Sequence, residues 1–563
     1  METITQHDIL IIGGGAAGLR AALAAVETNP KLSIALISKV YPIRSHTVSA
    51  EGGVAGVINP EDSLEAHAYD TIKGSNYLAD QDAVELFVKK APLEIIQIEN
   101  WGCPWSRTKE GKIATRNFGG MSKPRTAYAA DKTGFYLLHS LFERSLKYKQ
   151  ITRYDEWFVT KILTCENQAT GIIAIQQRTG QIFAFSAKAI ILATGGAGYL
   201  YQFTTNSNIK TGDGMALALQ AGVALKDMEF IQFHPTGLAR TGILITEAAR
   251  SEGGYLLNKN NDRFLKNYAP KTMEMSPRDL VSQAIISEIK AGRGIETPYG
   301  QCVHLDLRHL GESLIKEKLP LVREVAKTYQ GVDPVYDLIP VRPVAHYFMG
   351  GIDVDLKTAT PLKGLFSAGE TACLSIHGAN RLGSNSLAEC LVFGNIAGKT
   401  TAKFVDTQPQ NPTLDQTQLK KESDRLAKLR SVSGPERVAP LKKDLGEMME
   451  QAAGLIRDKK NLEIGLTKLT KLKQRYQKIG LSDHEEIFNT EFLAYLELSN
   501  LLDVAETILI SALAREESRG AHFRTDFPKQ NNRQFHHHHL ITRAPDGLKI
   551  SLKPVTITKW PLP

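Results

Sequence analysis

The stretch "HDILIIGGGAAGLRAALAAVE", residues 7–27, decides the fold of this chain. A short apolar strand over residues 9–12 runs into a glycine turn, and an alanine-rich helix follows. Gly13, Gly15 and Gly18 fit the pattern G-x-G-x-x-G in the strand–turn–helix order that binds dinucleotides. Gly13 permits the tight turn, Gly15 lets a pyrophosphate approach the backbone, and Gly18 lets helix and strand pack closely. The stretch therefore predicts a Rossmann-like α/β domain with phosphates at a helix N-terminus.

The end of the second strand indicates which dinucleotide the domain binds. "LSIALIS" ends in Ser38 and Lys39, where NAD-binding chains have an acidic residue for the ribose hydroxyls. NAD is therefore disfavoured and FAD is favoured. A second strand-then-glycine unit, "AKAIILATGGAGYLY", has its strand at residues 190–193 and resembles the returning strand of two-nucleotide flavoproteins. Asp213 then opens a helix, either as a simple cap or as a contact of the ribityl chain or flavin ring.

Length, composition and charge limit the function classes. A chain of 563 residues is too long for one core and predicts three or four units. The hydrophobic fraction of 42% and the charged fraction of 23% are those of a globular protein. The net charge is +8, but the basic residues are dispersed, which argues against a nucleic-acid partner and fits an acidic partner or an anionic substrate.

The cysteines and the apolar runs exclude further classes. Five cysteines lie far apart without a CxxC pair, which argues against disulfides, an iron–sulfur cluster or a metal site in this chain. The N-terminus lacks signal-peptide features, and no stretch approaches 18 consecutive apolar residues, so we expect no membrane-spanning segment. The tract "HHHH" at 536–539 is interpreted as a solvated loop, with incidental metal binding as the alternative.

Longer motifs carry a family resemblance. From about residue 8 to about residue 526 the chain resembles the flavoprotein subunit shared by fumarate reductases and succinate dehydrogenases. The motifs include "SKVYPIRSHTVSAEGG", "FIQFHPTGL", "LITEAARSEGG", "MSPRDLVSQAI", "IPVRPVAHYFMGGI" and "HGANRLGSNSLAE". "WGCPWSR" together with "DLRHLGE" is most similar to the quinol–fumarate reductase branch.

The resemblance implies a covalent flavin. The histidine of "RSHT", His46, would carry FAD through a bond from an imidazole nitrogen to the flavin 8α-methyl group; the alternative is a loop histidine with local hydrogen bonds. Glu51 favours fumarate reduction, because the succinate dehydrogenase branch usually has glutamine there. The resemblance further implies that FAD is bound by Gly13, Gly14, Gly15, Ala16, Ala17, Gly18, Ser38, Lys39, Ser45, His46, Thr47, Glu51, Gly52, Gly53, Thr194, Gly195, Asp213, Glu370, Arg381, Ser384, Ser386 and Leu387.

The implied substrate is a small dicarboxylate, which needs cations at both ends and a proton source in the middle. His346 and Arg381 would hold one carboxylate, and His234 and Thr246 would assist at the other. Phe118 would form an aromatic wall. Two ordinary readings compete: a core histidine at position 346, and a surface i,i+3 pair between positions 247 and 250.

The implied reaction is hydride transfer from the flavin N5 to one alkene carbon while Arg278 protonates the other. A guanidinium with a pKa above ~12 is a weak acid, so the carbon that it protonates must be strongly basic, as an enolate-like carbanion is. Reprotonation would run through Glu247 and Arg250. The catalytic set implied by the resemblance is His234, Glu247, Arg250 and Arg278.

The order of motifs predicts the domain organisation. A discontinuous FAD-binding domain, residues 1–228 and 346–405, would be interrupted by an α+β capping domain, residues 229–345. A proline-containing linker leads to a helical domain over residues 413–520, where leucines recur at spacings of three and four. Residues 521–563 are expected to be an irregular or strand-rich C-terminal segment.

Electrons must leave the flavin, and this chain has no cluster motif. The resemblance implies an iron–sulfur subunit and small membrane-anchor subunits that exchange electrons with quinone, on the cytoplasmic face of the inner (plasma) membrane. Three alternatives stay open: physiological succinate oxidation, a soluble flavin oxidase such as L-aspartate oxidase, and a non-catalytic FAD-binding subunit. His46 argues against the oxidase, and Arg278, Arg381 and His346 argue against the non-catalytic subunit.

Overall fold

The N-terminal third is built on one mixed sheet. The structure is a computed structural model that describes residues 2–563. The elements are β1 (Glu2–Ile12), α1 (Ala16–Thr28), β2 (Ile34–Ser38), β3 (Val54–Ala55), α2 (Leu64–Gly74), α3 (Gln81–Asn100), β4 (Thr115–Arg116), β5 (Thr126–Ala127), α4 (Thr133–Ser145), β6 (Ile151–Asp155), β7 (Trp157–Cys165), β8 (Gln168–Gln176) and β9 (Ile182–Leu192). Strands β6, β2, β1 and β9 lie side by side and parallel, and β8 and β7 continue the sheet antiparallel.

The register of this sheet places the two glycine turns next to each other. Ile12 at the end of β1 pairs with Leu192 at the end of β9. Every residue of β2 is buried, and so are the last residues of β1, because both faces of the sheet are covered. The strands predicted at residues 9–12 and 190–193 both exist. β1 begins at Glu2, and β9 runs from Ile182 to Leu192, so each begins earlier in the chain than predicted.

The middle of the chain folds over this sheet. Its elements are α5 (Asp213–Gln220), β10 (Leu225–Lys226), β11 (Ile231–Leu238), α6 (Ala248–Ser251), β12 (Tyr255–Leu257), α7 (Arg278–Glu288), β13 (Ile295–Thr297), β14 (Gly300–Asp306), α8 (Gly311–Lys318), α9 (Pro320–Val325) and β15 (Ile339–Phe348). β11, β15, β14 and β12 form an antiparallel sheet, and β13 pairs with β14. Leu256, Phe264 and Val303 belong to a hydrophobic core separate from that of the large sheet. This separate core supports the proposed capping domain, called the cap below.

The chain then returns to the first sheet. The elements of this part are β16 (Gly351–Asp353), β17 (Leu365–Ser367), β18 (Ala372–Cys373) and α10 (Asn385–Asp406). β17 adds to the large sheet beside β9, in parallel. α10 packs along the alanine-rich α1, whose small side chains let the two helices approach closely. The predicted interruption of the Rossmann-like fold is therefore present in the structure.

The predicted helical domain is confirmed. Its elements are α11 (Gln416–Arg430), α12 (Val438–Ala453), β19 (Ile456–Arg457), α13 (Lys459–Tyr476) and α14 (Thr490–Ala514). Leu462, Leu469 and Leu472 of the predicted leucine repeat are buried on α13, which packs against α12 and α14. Among residues 2–563, no helix combines the length and the apolar character needed to cross a bilayer.

Of the two expectations for the C-terminal segment, irregular or strand-rich, the structure supports the second. Its elements are β20 (Phe523–Arg524), α15 (Asn532–Phe535), β21 (His537–Ala544) and β22 (Gly547–Pro554). β21 and β22 form a hairpin that joins β10, β16 and β18 in one sheet. The segment is therefore strand-rich and is fixed to the chain at the start of the cap.

The interpretation of the histidine tract as a solvated loop was wrong. His538 and His539 lie in β21 and are buried. His538 Nδ1 is 2.6 Å from Asp227 Oδ2, and its Nε2 is 3.3 Å from Asp80 Oδ1. Carboxylates from distant parts of the chain hold this imidazole inside, which polarity alone did not predict. No His, Cys, Asp and Glu group in residues 2–563 has an arrangement that would hold a metal ion.

Candidate active site

One cavity of about 650 Å³ lies between the large sheet, the cap and the N-terminus of α10. This volume lies within the range of about 300–1,000 Å³ that is typical of ligand pockets. All predicted FAD positions except Gly18 line it, and so do all predicted catalytic and substrate positions except Arg250. The residues that the sequence motifs single out, although up to 374 positions apart, therefore surround one space.

The glycine turn has the geometry that its pattern predicts. Gly13 has a φ of +119°, and a side chain there would collide with the Ala193 carbonyl group of the neighbouring strand. A side chain at Gly18 would collide with the Gly13 carbonyl, so Gly18 serves close packing behind the cavity. The Ala16 amide donates to Thr47 Oγ1 at 3.1 Å, which joins the start of α1 to the loop that carries His46.

At the end of β2, Lys39 contacts polar and acidic side chains from other parts of the chain. Lys39 Nζ donates to Thr211 Oγ1 at 2.6 Å, to Asp213 Oδ2 at 2.7 Å and to Glu497 Oε1 at 2.6 Å. Burial opposes the charge of Lys39, but the two carboxylates outweigh it and raise the pKa of this lysine. Asp213 is the first residue of α5, and its carboxylate lies beside the end of β2 through this contact with Lys39.

His46 lies on a short helical turn, His46–Ser49, between the glycine turn and the cap. Its Nδ1 lies 3.3 Å from the Ser207 hydroxyl oxygen, within hydrogen-bond distance. Desolvation, together with the positive charge of Lys210, lowers the pKa of His46 to about 3. The imidazole is therefore neutral at physiological pH, the form in which a ring nitrogen has a free electron pair for bonding. Lys210 itself is ion-paired with Glu370 on the cavity wall.

Two arginines dominate the cap side of the cavity. Arg278, at the start of α7, donates from Nε to Glu247 Oε2 at 2.8 Å and from Nη1 to Gln232 Oε1 at 3.0 Å. Arg381 donates from Nη2 to the same Gln232 oxygen at 3.0 Å and from Nη1 to Ser386 Oγ at 3.2 Å. The buried Arg381 Nε has no hydrogen-bond partner in the described chain. A buried donor of this kind on a cavity wall is available to a bound anion.

Two neutral histidines face these arginines. His346 Nδ1 is 2.8 Å from Thr205 Oγ1, and the ring centroids of His346 and His234 are 5.0 Å apart. Burial, reinforced by Arg278, lowers the pKa of both imidazoles well below the usual range. His234 Nε2 is buried without a partner among the described residues. The interpretation of position 346 as an ordinary core histidine is therefore weakened, because this ring lines the cavity.

Glu247 and Arg250 continue inward from Arg278. Arg250 Nη2 lies 3.7 Å from Glu247 Oε2, and Arg250 also donates to the Glu274 carbonyl group. Burial opposes ionisation of Glu247, but Arg278 and Arg250 outweigh it and lower the pKa of this carboxyl group. Both side chains are buried, so the alternative of a surface i,i+3 pair is wrong. Arg250 lies behind the cavity rather than on its wall, and the three side chains form a continuous chain of charges.

Several contacting residues were not found from the sequence. Gln232 joins the two arginines, Thr205 and Asn206 hold His346 from its side chain and backbone, and Lys210 lies near His46. The sequence could have indicated Gln232, because it stands two positions before His234 in a strand and both side chains therefore point to the same face. Lys210 lies in a loop without a motif, and only the fold brings it to Glu370.

Known proteins match this chain over nearly its whole length. Residues 8–387 match the family model described as FAD binding domain, and residues 442–563 match fumarate reductase flavoprotein C-term. The chain is 54% identical to the fumarate reductase flavoprotein subunit of Mycobacterium tuberculosis, over 99% of this chain and 98% of that protein. It is 41% identical to the succinate dehydrogenase flavoprotein subunit of Rickettsia bellii, over 98% and 96%.

A solved structure extends the match to three dimensions. The chain aligns with a mutated FrdA of E. coli quinol fumarate reductase at a TM-score of 0.98 and 46% identity, covering 100% of this chain and 99% of that one. Fold and site thus define an FAD-binding flavoprotein. The chain belongs to the family of flavoprotein subunits of fumarate reductases and succinate dehydrogenases.

Proposed function

We propose that this chain is the catalytic flavoprotein subunit of a complex that interconverts fumarate and succinate, with fumarate reduction as the favoured direction. One observation carries the proposal: the glycine turns and the arginine–histidine cluster line the same cavity. The test is to purify the complex and to compare the rates of fumarate reduction and succinate oxidation. Absence of turnover in both directions would contradict the proposal, and dominant succinate oxidation would reverse the direction.

The residues of the cavity fit FAD. The N-cap Gly15 provides no side-chain cap, so apart from the Ala16 amide, which donates to Thr47 Oγ1, the start of α1 is available to phosphates. The buried hydroxyl groups of Ser45 and Ser384 lack partners in the described chain. When bound, FAD supplies hydride chemistry to the alkene of the substrate. The phosphates would be held by the turn from Gly13 to Ala17, and the flavin end by the side of the cavity formed by His46, Glu370 and the start of α10.

His46 is proposed as the covalent attachment point. Its neutral imidazole lines the cavity, with Nδ1 at 3.3 Å from the Ser207 hydroxyl oxygen. Replacing it by serine removes the nitrogen that would attack the 8α-methyl group but leaves the glycine turns intact. We expect His46→Ser protein to bind FAD and to release it on acid denaturation, whereas the unchanged protein retains it.

The same variant tests the consequence of the bond. Loss of an electron-withdrawing imidazole lowers the flavin potential, so succinate oxidation is expected to fall far more than fumarate reduction. His484→Ser, an exposed histidine of the helical domain, is the matched control. Flavin that remains attached to denatured His46→Ser protein, or an equal loss in both directions, would contradict this assignment.

The proposed roles in substrate binding follow from the charge of each side chain and from its position on the cavity wall. Arg381 and His346 are proposed to hold one carboxylate, with His234 and Thr246 at the other and Phe118 as an apolar wall. Guanidinium groups suit carboxylates because they donate two parallel hydrogen bonds. A dicarboxylate held at both ends places its central carbons between these groups.

Arg278 is proposed to deliver a proton to one of the central carbons. The Glu247 carboxylate, 2.8 Å from Arg278 Nε, stabilises the guanidinium and is the next proton site, and Arg250 follows behind it. Each is within one hydrogen bond or ion-pair distance of its neighbour, which a relay needs. The proton that leaves Arg278 is replaced along this chain from outside the cavity.

Glu51 supports fumarate reduction by resemblance, and its surroundings also affect the charge of the cavity. Burial and the neighbouring Asp131 raise the pKa of Glu51 well above its usual range, so the cavity wall carries less negative charge than its composition suggests. A less negative wall is compatible with a dianionic substrate.

Electrons are proposed to pass to or from an iron–sulfur subunit, and through it to small membrane-anchor subunits and quinone. The relatives named above are subunits by their descriptions, and the solved relative is a quinol fumarate reductase. The proposed location is the cytoplasmic face of the inner (plasma) membrane, held there by these partners. Affinity purification of the chain from membranes, with iron analysis of the bound fraction, tests this; a chain recovered alone and free of iron would contradict it.

A further inference from the structure

Gln232 connects the two arginines to which the proposed function gives separate tasks. It lies on β11 and is fully buried. Its single amide oxygen accepts a hydrogen bond from Arg278 Nη1 and another from Arg381 Nη2, both at 3.0 Å. One neutral oxygen therefore joins two guanidinium groups that repel each other.

The other end of the amide fixes its orientation. Gln232 Nε2 donates to Asn380 Oδ1 and to the Arg381 carbonyl oxygen, both at 2.8 Å. A flipped amide would direct its oxygen at these two acceptors and its hydrogens at the guanidinium donors, which is repulsive at every contact. Asn380 is held in turn, because its Nδ2 donates to Asp279 Oδ1 at 3.0 Å. The amide has one satisfied orientation.

These contacts cross the boundary between the proposed domains. Gln232, Arg278 and Asp279 belong to the cap, on β11 and α7. Asn380 and Arg381 belong to the loop between β18 and α10, on the flavin side. The spacing of the two guanidinium groups thus depends on how the cap sits on the flavin domain, and Gln232 links both sides directly.

The neutrality of the linking group matters as much as its geometry. A carboxylate at this place would satisfy the same donors but would neutralise positive charge that a dicarboxylate substrate needs. Two charges near each other in a poorly solvated site interact far more strongly than in water, so a single added negative charge would compete with the substrate. An amide holds the arginines without this competition.

We propose that Gln232 is a positioning residue that sets the spacing between Arg278 and Arg381 and leaves both positive charges available to the dicarboxylate. It rests on the proposed function, because it assumes that these arginines bind and protonate a dicarboxylate. It adds a requirement that the family resemblance does not contain: an uncharged acceptor at position 232.

Two substitutions separate the two parts of the proposal. Gln232→Glu keeps the size and the acceptor, adds a negative charge and loses the Nε2 donor to Asn380 and the Arg381 carbonyl oxygen. Binding of malonate, a non-reactive dicarboxylate, should weaken by about 10–150-fold, the range for a charged hydrogen bond. Gln232→Met keeps the volume and the neutrality but removes the acceptor. Malonate binding should then change by less than about threefold, while kcat for fumarate falls by about 10–100-fold because Arg278 loses its alignment.

The experiment uses the purified complex with FAD bound. Malonate affinity is read from the change in flavin absorption, and KM, kcat and flavin content are measured on the same samples. Gln283→Glu, a half-buried glutamine on α7 outside the cavity, controls for an added charge in the cap. Wild-type malonate affinity in Gln232→Glu, or wild-type kcat in Gln232→Met, would overturn the proposal.

The outcomes also separate this proposal from the proposed function. If the unchanged complex neither binds malonate nor reduces fumarate, the proposed function fails. If the unchanged complex does both and the two variants lose malonate affinity and kcat together, with equal loss of flavin, Gln232 only stabilises the fold and the positioning role is wrong.

Discussion

The molecule has two buried clusters of charge, and they are balanced differently. At the cavity wall and directly behind it, the Glu247 carboxylate lies within 4 Å of Arg278 and Arg250, and guanidinium nitrogens of Arg250 and Arg381 lack hydrogen-bond partners in the described chain. At the base of the cap, Arg515 alone lies within 4 Å of three carboxylates, those of Asp227, Glu229 and Glu517.

The presence or absence of counter-charges distinguishes a cluster that binds a ligand from a cluster that stabilises the fold. A buried charge without its counter-charge costs free energy, and a fold retains it where a ligand completes the site. A buried charge with its counter-charges fixes the packing of the segments that supply them. Under the proposed function a dianionic substrate supplies the missing counter-charge of the first cluster, whereas the second joins the C-terminal hairpin to the start of the cap.

The largest expected effect comes from the cavity cluster. Arg278→Gln keeps a hydrogen-bond donor but removes the acidic guanidinium, and no FAD contact is proposed for this residue. Turnover should fall by at least ~10²–10⁴-fold, the usual contribution of general acid catalysis, while flavin content stays unchanged. Arg308→Gln, an exposed arginine of the cap, is the control. Near-normal turnover in Arg278→Gln would rule out this residue as the proton donor.

Arg381 tests the binding half of the same cluster. Arg381→Gln removes a carboxylate clamp, so KM for fumarate should rise by about 10–150-fold, equivalent to ~1.5–3 kcal/mol for a hydrogen bond to a charged group. Its side chain is also proposed to contact FAD, so flavin content is measured in parallel. The signature is a rise in KM that Arg278→Gln does not share; an unchanged KM would count against the assignment.

The sequence predicted the cavity cluster well because its residues stand in motifs with regular local structure. Gly18 is fixed by its steric contact with Gly13 within one strand–turn–helix unit, and alternation along β11 places His234 on the cavity face. Arg278 begins a helix directly after a proline, which the local sequence also indicates. These positions depend on neighbours that are close in the chain.

The rest depends on contacts that no local pattern encodes. His538 is buried because Asp227 and Asp80 meet it from positions more than 300 residues away, so its tract looked like a solvated loop. The link through Gln232 exists only because α7 and the loop before α10 come together. Lys210 faces Glu370 across 160 positions in the chain. Fold class, cofactor and substrate class follow from motifs, but the balance of charges follows from tertiary structure.

The balanced cluster makes a prediction with a smaller effect, on stability rather than catalysis. Burial opposes the charge of His538, but Asp227 and Asp80 outweigh it and raise the pKa of this imidazole to about 9. An unfolded histidine has a pKa of about 6.5. A raised folded-state pKa gives stability that is complete below pH 6.5 and is lost as pH rises towards 9, which amounts to about 2 kcal/mol between pH 6 and pH 8.

His538→Gln keeps a polar side chain but cannot ionise, so its stability should lack this dependence. We expect the melting temperature of the unchanged complex to exceed that of the variant clearly at pH 6 and by a smaller margin at pH 8. Fumarate reduction by the folded variant should be unchanged at both pH values, because His538 does not line the cavity. A constant margin would show that the imidazole is not charged in the folded state. A loss of turnover without a loss of stability would show that the two clusters are coupled, and the separation between catalytic and architectural charge drawn above would be wrong.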